Sequence, residues 1–278
     1  NRNIFFGSTW NDSPANKILT SLKGIISYKE LYSQIHELRM ITTPFEIALI
    51  RRSCSISARA HRKLMKKSTI NMGAYYLDGL FTGSVMKDGC SRLAYPNIIA
   101  SGSNTTILHY NSNSGNNIVN KKIKDGNLVL VDAGGEFFGY ASDITRTWPI
   151  NGIFTEKQKK IYDIVLQVQK ECIAMIKPGV TMFELNNLAL TRMGQELNKL
   201  ELFIDNYDDN HVRLFFTHKL CHWLGMDVHD CSEYDDDYIQ FEPGMVLTVE
   251  PGLYFNSINF KSSDSKLSDF IDSKVFNS

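Results

Sequence analysis

The chain has 278 residues, 30 basic and 30 acidic side chains, and an apolar fraction of 43%. That length suits one large domain or about two ordinary ones, with enough apolar material for a real core. The zero formal charge argues against bulk nucleic-acid or anionic-membrane binding, which needs surplus Lys and Arg, and no apolar run approaches the roughly 18 residues of a membrane span.

The opening residues, Asn1 to Phe6, show no charged-then-apolar signal region. The five cysteines, Cys54, Cys90, Cys172, Cys221 and Cys231, are scattered and form no C-x-x-C pair. They specify neither a disulfide framework nor a thiolate zinc site, so a reducing, intracellular compartment fits, cytoplasmic or mitochondrial. Residues 1–40 are weakly patterned and read as a linker or the remnant of an earlier domain, with a short amphipathic stretch from Glu30 to Met40.

From Thr43 the signals sharpen. Thr43-Pro44-Phe45-Glu46 is a capping box with Pro at the first helical position, and Ile47, Ile50, Cys54, Ala58, His61 and Met65 follow at helical spacing. Leu128 to Val131 is a short buried strand, and Phe138, Tyr140, Ser142 and Ile144 alternate more loosely. A second helix opens at Thr155 with Gln158 and stops at Lys177-Pro178-Gly179; its inward positions are Ile161, Ile164, Val165, Val168, Cys172 and Met175. A third opens at Thr181 with Glu184 and runs through Leu185, Leu188, Arg192 and Leu197. Met245 to Val249 reads as a further strand, and the polar, aperiodic tail from Asn256 to Ser278 as disordered. Helices and antiparallel strands mix without a β-α-β repeat, which favours an α+β fold. The helix–loop–helix pattern recurs in 43–90 and 155–200, a faint sign of duplication.

No G-x-S-x-G, H-E-x-x-H, Walker loop or G-x-G-x-x-G occurs. What remains is a spaced set of acids and histidines. Asp132 ends a buried strand and Asp143 lies in the next. A turn about residues 137 and 138 would set the two directly opposite, where like charges repel unless a cation sits between them. On its own the pair also fits a turn-starting Asp and a solvated strand-end Asp. His218, His222 and His229 fall within twelve residues and suit first-row metals and proton transfer, or a polar loop with packed histidines. Glu250 ends the apolar run from Met245 and precedes Pro251-Gly252; His109 stands apart in Leu108-His109-Tyr110.

Val131-Asp132-Ala133-Gly134-Gly135 leading to Ser142-Asp143-Ile144-Thr145-Arg146-Thr147-Trp148 resembles the first metal motif of the aminopeptidase P and prolidase group. His222 to Asp230 resembles its histidine motif, and Thr248-Val249-Glu250-Pro251-Gly252 its first glutamate motif. The resemblance covers about Thr43 to Phe255 and leans toward the Xaa-Pro aminopeptidase 3 type rather than methionine aminopeptidase. It implies a pita-bread fold: two pseudo-symmetric α-β halves around a dinuclear metal centre. By the same resemblance Asp132, Asp143, His222 and Glu250 are metal ligands, and His109, His218, His229 and Glu250 serve catalysis. The implied metal is Mn²⁺, with Co²⁺ or Zn²⁺ as alternatives, and no other cofactor-binding residue follows from it. The implied substrate is a peptide with proline in second position, with no nucleic-acid or membrane partner and a homodimer in a full-length protein. A second bridging glutamate, carried by the group in a Gly-x-Arg-x-Glu-Asp segment, has no counterpart after Phe255. The expectation is therefore a catalytic domain over 41–255, incomplete at both ends, holding at most one metal at full occupancy. Alternatives are an Xaa-Pro dipeptidase or a catalytically impaired pita-bread binding protein.

Overall fold

The computed structural model describes residues 28–110, 122–204, 206–231 and 237–256, the side chains from position 34 onward. The expected disordered tail lies, beyond Asn256, outside the described residues.

Tyr28–Met40 forms α1. The stretch read as a linker is thus helical at its end, and it is anchored: Met40 joins the second core and His36 is buried. Helix α2 (Pro44–Lys67) starts with the expected capping box, Thr43 and Glu46 each satisfying the other's amide. Its buried face contains Ile50 and His61 but is rotated from the expected one toward Ser53, Ile56, Ser57 and Leu64, leaving Cys54, Ala58 and Met65 half-buried. The reason is polar. The Ser53 hydroxyl donates to the Gly135 carbonyl at 2.8 Å, and Ser57 accepts from the Gly135 amide at 2.9 Å. These small hydroxyls tie the helix to the backbone of β4 at Gly135.

Helix α3 (Ala74–Lys87) follows, then β1 (Arg92–Leu93), β2 (Ile98–Ser101), β3 (Leu128–Asp132), β4 (Gly135–Phe137), β5 (Tyr140–Ala141) and β6 (Thr145–Pro149). They make two antiparallel three-stranded sheets, ordered β1-β4-β5 and β2-β3-β6. The hairpin turns at Phe138 and Gly139, with φ of 52° and 82°. Positive φ at both central residues is what a two-residue I′ hairpin demands. Phe138 is therefore a turn residue, not a strand residue, and Asp132 pairs with Thr145. The expected opposition of Asp132 and Asp143 is corrected by one step of the pleat: they are diagonal neighbours.

The second half repeats the plan. Helix α4 (Glu156–Met175) begins at the Thr155–Gln158 box and α5 (Met182–Lys199) at the Thr181–Glu184 box, as expected. A short α6 (Asp209–Arg213) leads into the histidine segment. In each half the residue before the second helix makes an antiparallel bridge to a later segment, Gly73 to Lys122 and Thr181 to Gln240. The run Met245 to Val249 is extended but forms only the bridge Trp223–Leu247, with further bonds from the Thr248 amide to the His222 carbonyl and from the Glu250 amide to the Leu220 carbonyl. Each half has its own core. One gathers Ile56, Leu64, Phe81 and Val131, and the other Val168, Leu185, Met193 and Phe215.

Candidate metal centre

In β3 the alternation buries Val129 and Val131 and turns Leu128, Leu130 and Asp132 toward the cleft between the halves. Asp143 sits in the gap between β5 and β6, where residues 142–144 run beside 133–135. The Ala133 amide donates to the Ile144 carbonyl and the Ser142 amide to the Gly135 carbonyl, both at 3.1 Å. A Cβ on Gly134 would lie 1.7 Å from the Ser142 carbonyl oxygen, so only glycine permits this approach. The two acids then share one hydroxyl: Tyr95 Oη is 2.5 Å from Asp132 Oδ1 and 2.8 Å from Asp143 Oδ1.

The other half supplies the rest. His222 Nδ1 donates to the Trp223 carbonyl at 2.9 Å, which turns Nε2 toward Asp143 Oδ2 at 3.2 Å and Glu250 Oε1 at 3.0 Å. Thr248 Oγ1 accepts from the His222 amide at 3.0 Å and donates to Glu250 Oε1 at 2.9 Å. Ligand atoms of Asp143, His222 and Glu250 lie within 4.8 Å of one another, the one such group among the described residues. Asp132 adjoins it through Tyr95.

The electrostatics match. Burial, then the neighbouring Asp143, pushes the Asp132 carboxyl up to about 7. Burial alone would lower His222, but hydrogen bonds to Asp143 and Glu250 outweigh it and raise the imidazole to about 10. Burial and the two adjacent aspartates also raise the Tyr95 phenol. Protons on these groups offset the acidic cluster, the role a cation would fill. Three carboxylates and one imidazole fit a first-row divalent ion, with the Nδ1–H bond to Trp223 fixing the tautomer that leaves Nε2 for it.

The other three expected histidines, His109, His218 and His229, line the same cleft. His229 packs edge-on against His222 at 4.5 Å between ring centres, and burial followed by that imidazole lowers its pKa. His218 Nε2 lies 3.2 Å from Tyr254 Oη, its Nδ1 2.8 Å from the Lys219 carbonyl. His109 is exposed at the rim. Sequence reasoning overlooked Tyr95 and Thr248. Tyr95 has no local signal, because its partners Asp132 and Asp143 lie far along the chain; Thr248, two residues before Glu250, also reaches back to the distant His222 amide.

A two-half α+β fold whose acids and imidazole meet between the halves is the pita-bread architecture with a candidate metal centre at its seam. Sequence comparison agrees, with a profile match over residues 48–268. The chain belongs to metallopeptidase family M24. It is 43% identical over 225 residues to the Xaa-Pro aminopeptidase of Escherichia coli, covering 79% of this chain and 50% of that protein. The human Xaa-Pro aminopeptidase 3 is 37% identical over 79% of this chain and 43% of its own length. The Escherichia coli aminopeptidase P structure with the inhibitor Pro-Leu matches at a TM-score of 0.72 and 41% identity, over 80% of this chain and 51% of that one. The chain spans about half the length of the curated relatives it matches.

Proposed function

We propose that the chain carries the catalytic region of an Xaa-Pro aminopeptidase, which removes the first residue of a peptide whose second residue is proline. The observation that carries this reading is the convergence of Asp143, His222 and Glu250 within one ligand radius, with Asp132 beside them and three further histidines in the same cleft. Residues 41–255 would form the catalytic unit. Asp132, Asp143, His222 and Glu250 would hold a divalent ion, Mn²⁺ by the oxygen-rich donor set, with Co²⁺ and Zn²⁺ as competitors. When bound, such an ion supplies Lewis acidity toward water and the scissile carbonyl.

The chain's own residues do the rest. Glu250, fixed by Thr248, is placed to take the proton of the attacking water and return it to the leaving amine. His229 lines the cleft, where a donor stabilises charge growing on the carbonyl oxygen, and His218, whose Nδ1 proton goes to the Lys219 carbonyl, would donate from Nε2 only as the imidazolium. His218 is oriented by Tyr254, and His109 closes the rim on the substrate side. The apolar side chains beside the site, Leu128, Leu130, Ile144 and Val249, lower the local polarity and strengthen each of these interactions.

The relatives named Xaa-Pro aminopeptidase support this over a dipeptidase reading, although a rat Xaa-Pro dipeptidase is 36% identical over 81% of this chain. One relative from Arabidopsis thaliana is named as mitochondrial, and a mitochondrial or cytoplasmic site fits the unpaired cysteines. The deciding experiment is release of the first residue from an Arg-Pro-Pro peptide with Mn²⁺ added. Metal-dependent release is expected. Cleavage of Xaa-Pro dipeptides alone would assign a dipeptidase, and no turnover of either would leave a binding protein.

A further inference from the structure

Helix α1 ends before the family-matched stretch begins at residue 48, yet it reaches the candidate centre. Its Arg39 guanidinium places Nη2 2.8 Å from Asp227 Oδ2 and 2.6 Å from Asp230 Oδ1. These acids bracket Val228 and His229. Asp230 is buried and already braces the loop from inside: its Oδ2 accepts from the Met226 amide at 3.0 Å and its Oδ1 from the Cys231 amide at 2.8 Å. Its own amide donates to the Trp223 carbonyl at 3.1 Å, one residue from His222. Gly225 leaves room for this, since a Cβ there would meet Asp230 Oδ2 at 2.1 Å. A carboxylate so buried needs its counter-ion, and a single guanidinium nitrogen, Nη2, serves both acids. The helix behind Arg39 is itself held, by Met40 in the core and by the Cys231 thiol donating to the His36 carbonyl at 3.5 Å.

We infer that Arg39 is a positioning residue for His229: it clips the 227–230 loop at both ends and sets the imidazole against His222. For the step His229 assists, this inference rests on the peptidase reading above. Arg39 has no direct contact with Asp132, Asp143, His222 or Glu250, so it acts through the 227–230 loop that carries His229.

The test uses the full chain labelled with ¹⁵N-histidine and loaded with one equivalent of Zn²⁺. The His229 ring resonances, assigned by their loss in His229→Ala, are expected to shift or broaden in Arg39→Met while those of His218 stay in place. Arg39→Lys, the milder change, restores them in part and keeps the test open should Arg39→Met fail to fold. On the Arg-Pro-Pro peptide, Arg39→Met should lower kcat on the order of 10- to 100-fold, the usual consequence of a small misplacement, with KM nearly unchanged. In a His229→Ala background the same substitution should add nothing. Unmoved His229 resonances, or fully additive losses in the double variant, would overturn the inference. If the resonances move but the unsubstituted chain cleaves no Xaa-Pro peptide, the clamp stands and the proposed activity falls.

Discussion

Asp132 and His222 hold their protons more tightly in the folded chain than outside it, and this has a measurable sign. Asp132 rises from 3.8 to about 7, so it favours the folded state while protonated and ceases to as pH climbs through that range. His222 rises from 6.5 to about 10, so its contribution is complete below 6.5 and is lost on the way to 10. Buried His61, lowered to about 4, pulls the other way below 6.5, so metal-free protein should lose thermal stability between about pH 6.5 and pH 9, read by differential scanning calorimetry. A flat or rising profile would show that the carboxylates do not crowd as described. A cation must displace these protons, so its affinity should increase over the same window, with protons released to the medium. The residue types were legible in the sequence because an acid ending an apolar strand is unusual company. Tyr95 was not, since the contact that gives it a role joins β1's flank to the tip of β3.

At the scale of elements, the hairpin that carries Asp132 and Asp143 depends on two backbone devices. Gly139 supplies the positive φ of the turn, and Gly134 lets residues 142–144 lie close alongside. Gly134→Ala would drive a methyl into the Ser142 carbonyl, so it should destabilise the fold by several kcal/mol, on the order of a core overpacking or more, and abolish metal retention. Gly83→Ala is the contrast. It lies mid-helix in α3 with nothing near its would-be Cβ, and should be neutral or stabilising by about 0.5–1 kcal/mol. Equal effects of the two in chemical denaturation would contradict this account of the hairpin. Helix starts were the most legible elements, because Thr43, Thr155 and Thr181 each announce a capping box. Removing one, as in Thr181→Ala, should cost about 1 kcal/mol. The hairpin register was misread by one pleat step, because Gly-Glu-Phe-Phe-Gly admits more than one turn position and only positive φ at Phe138 settles it. The α2 face was misread because inward serines look like surface residues until the Gly135 backbone they serve is in view.

On the scale of the whole molecule, the candidate centre lies at the seam between two similar halves. Asp132 and Asp143 come from one, His222 and Glu250 from the other. The halves touch elsewhere through the Ala141 amide and the Gly225 carbonyl at 2.9 Å, and through α1. No described helix is long and apolar enough to cross a membrane. A ligand that bridges the seam should stabilise both halves together, by about 2.7 kcal/mol at a hundredfold excess over its Kd, seen as one cooperative transition moving upward. The duplication was only a faint rhythm in the sequence, because the shared plan resides in bridges such as Gly73–Lys122 and Thr181–Gln240 rather than in repeated residues. These acids and His222 are proposed to form a cation site, and the second bridging glutamate that the family resemblance implies has no counterpart in residues 256–278. Metal analysis of the 278-residue chain after Mn²⁺ loading and dialysis tests it most directly. The account predicts close to one equivalent per chain, lost in Asp143→Ala; two equivalents, none, or retention by that variant would contradict it.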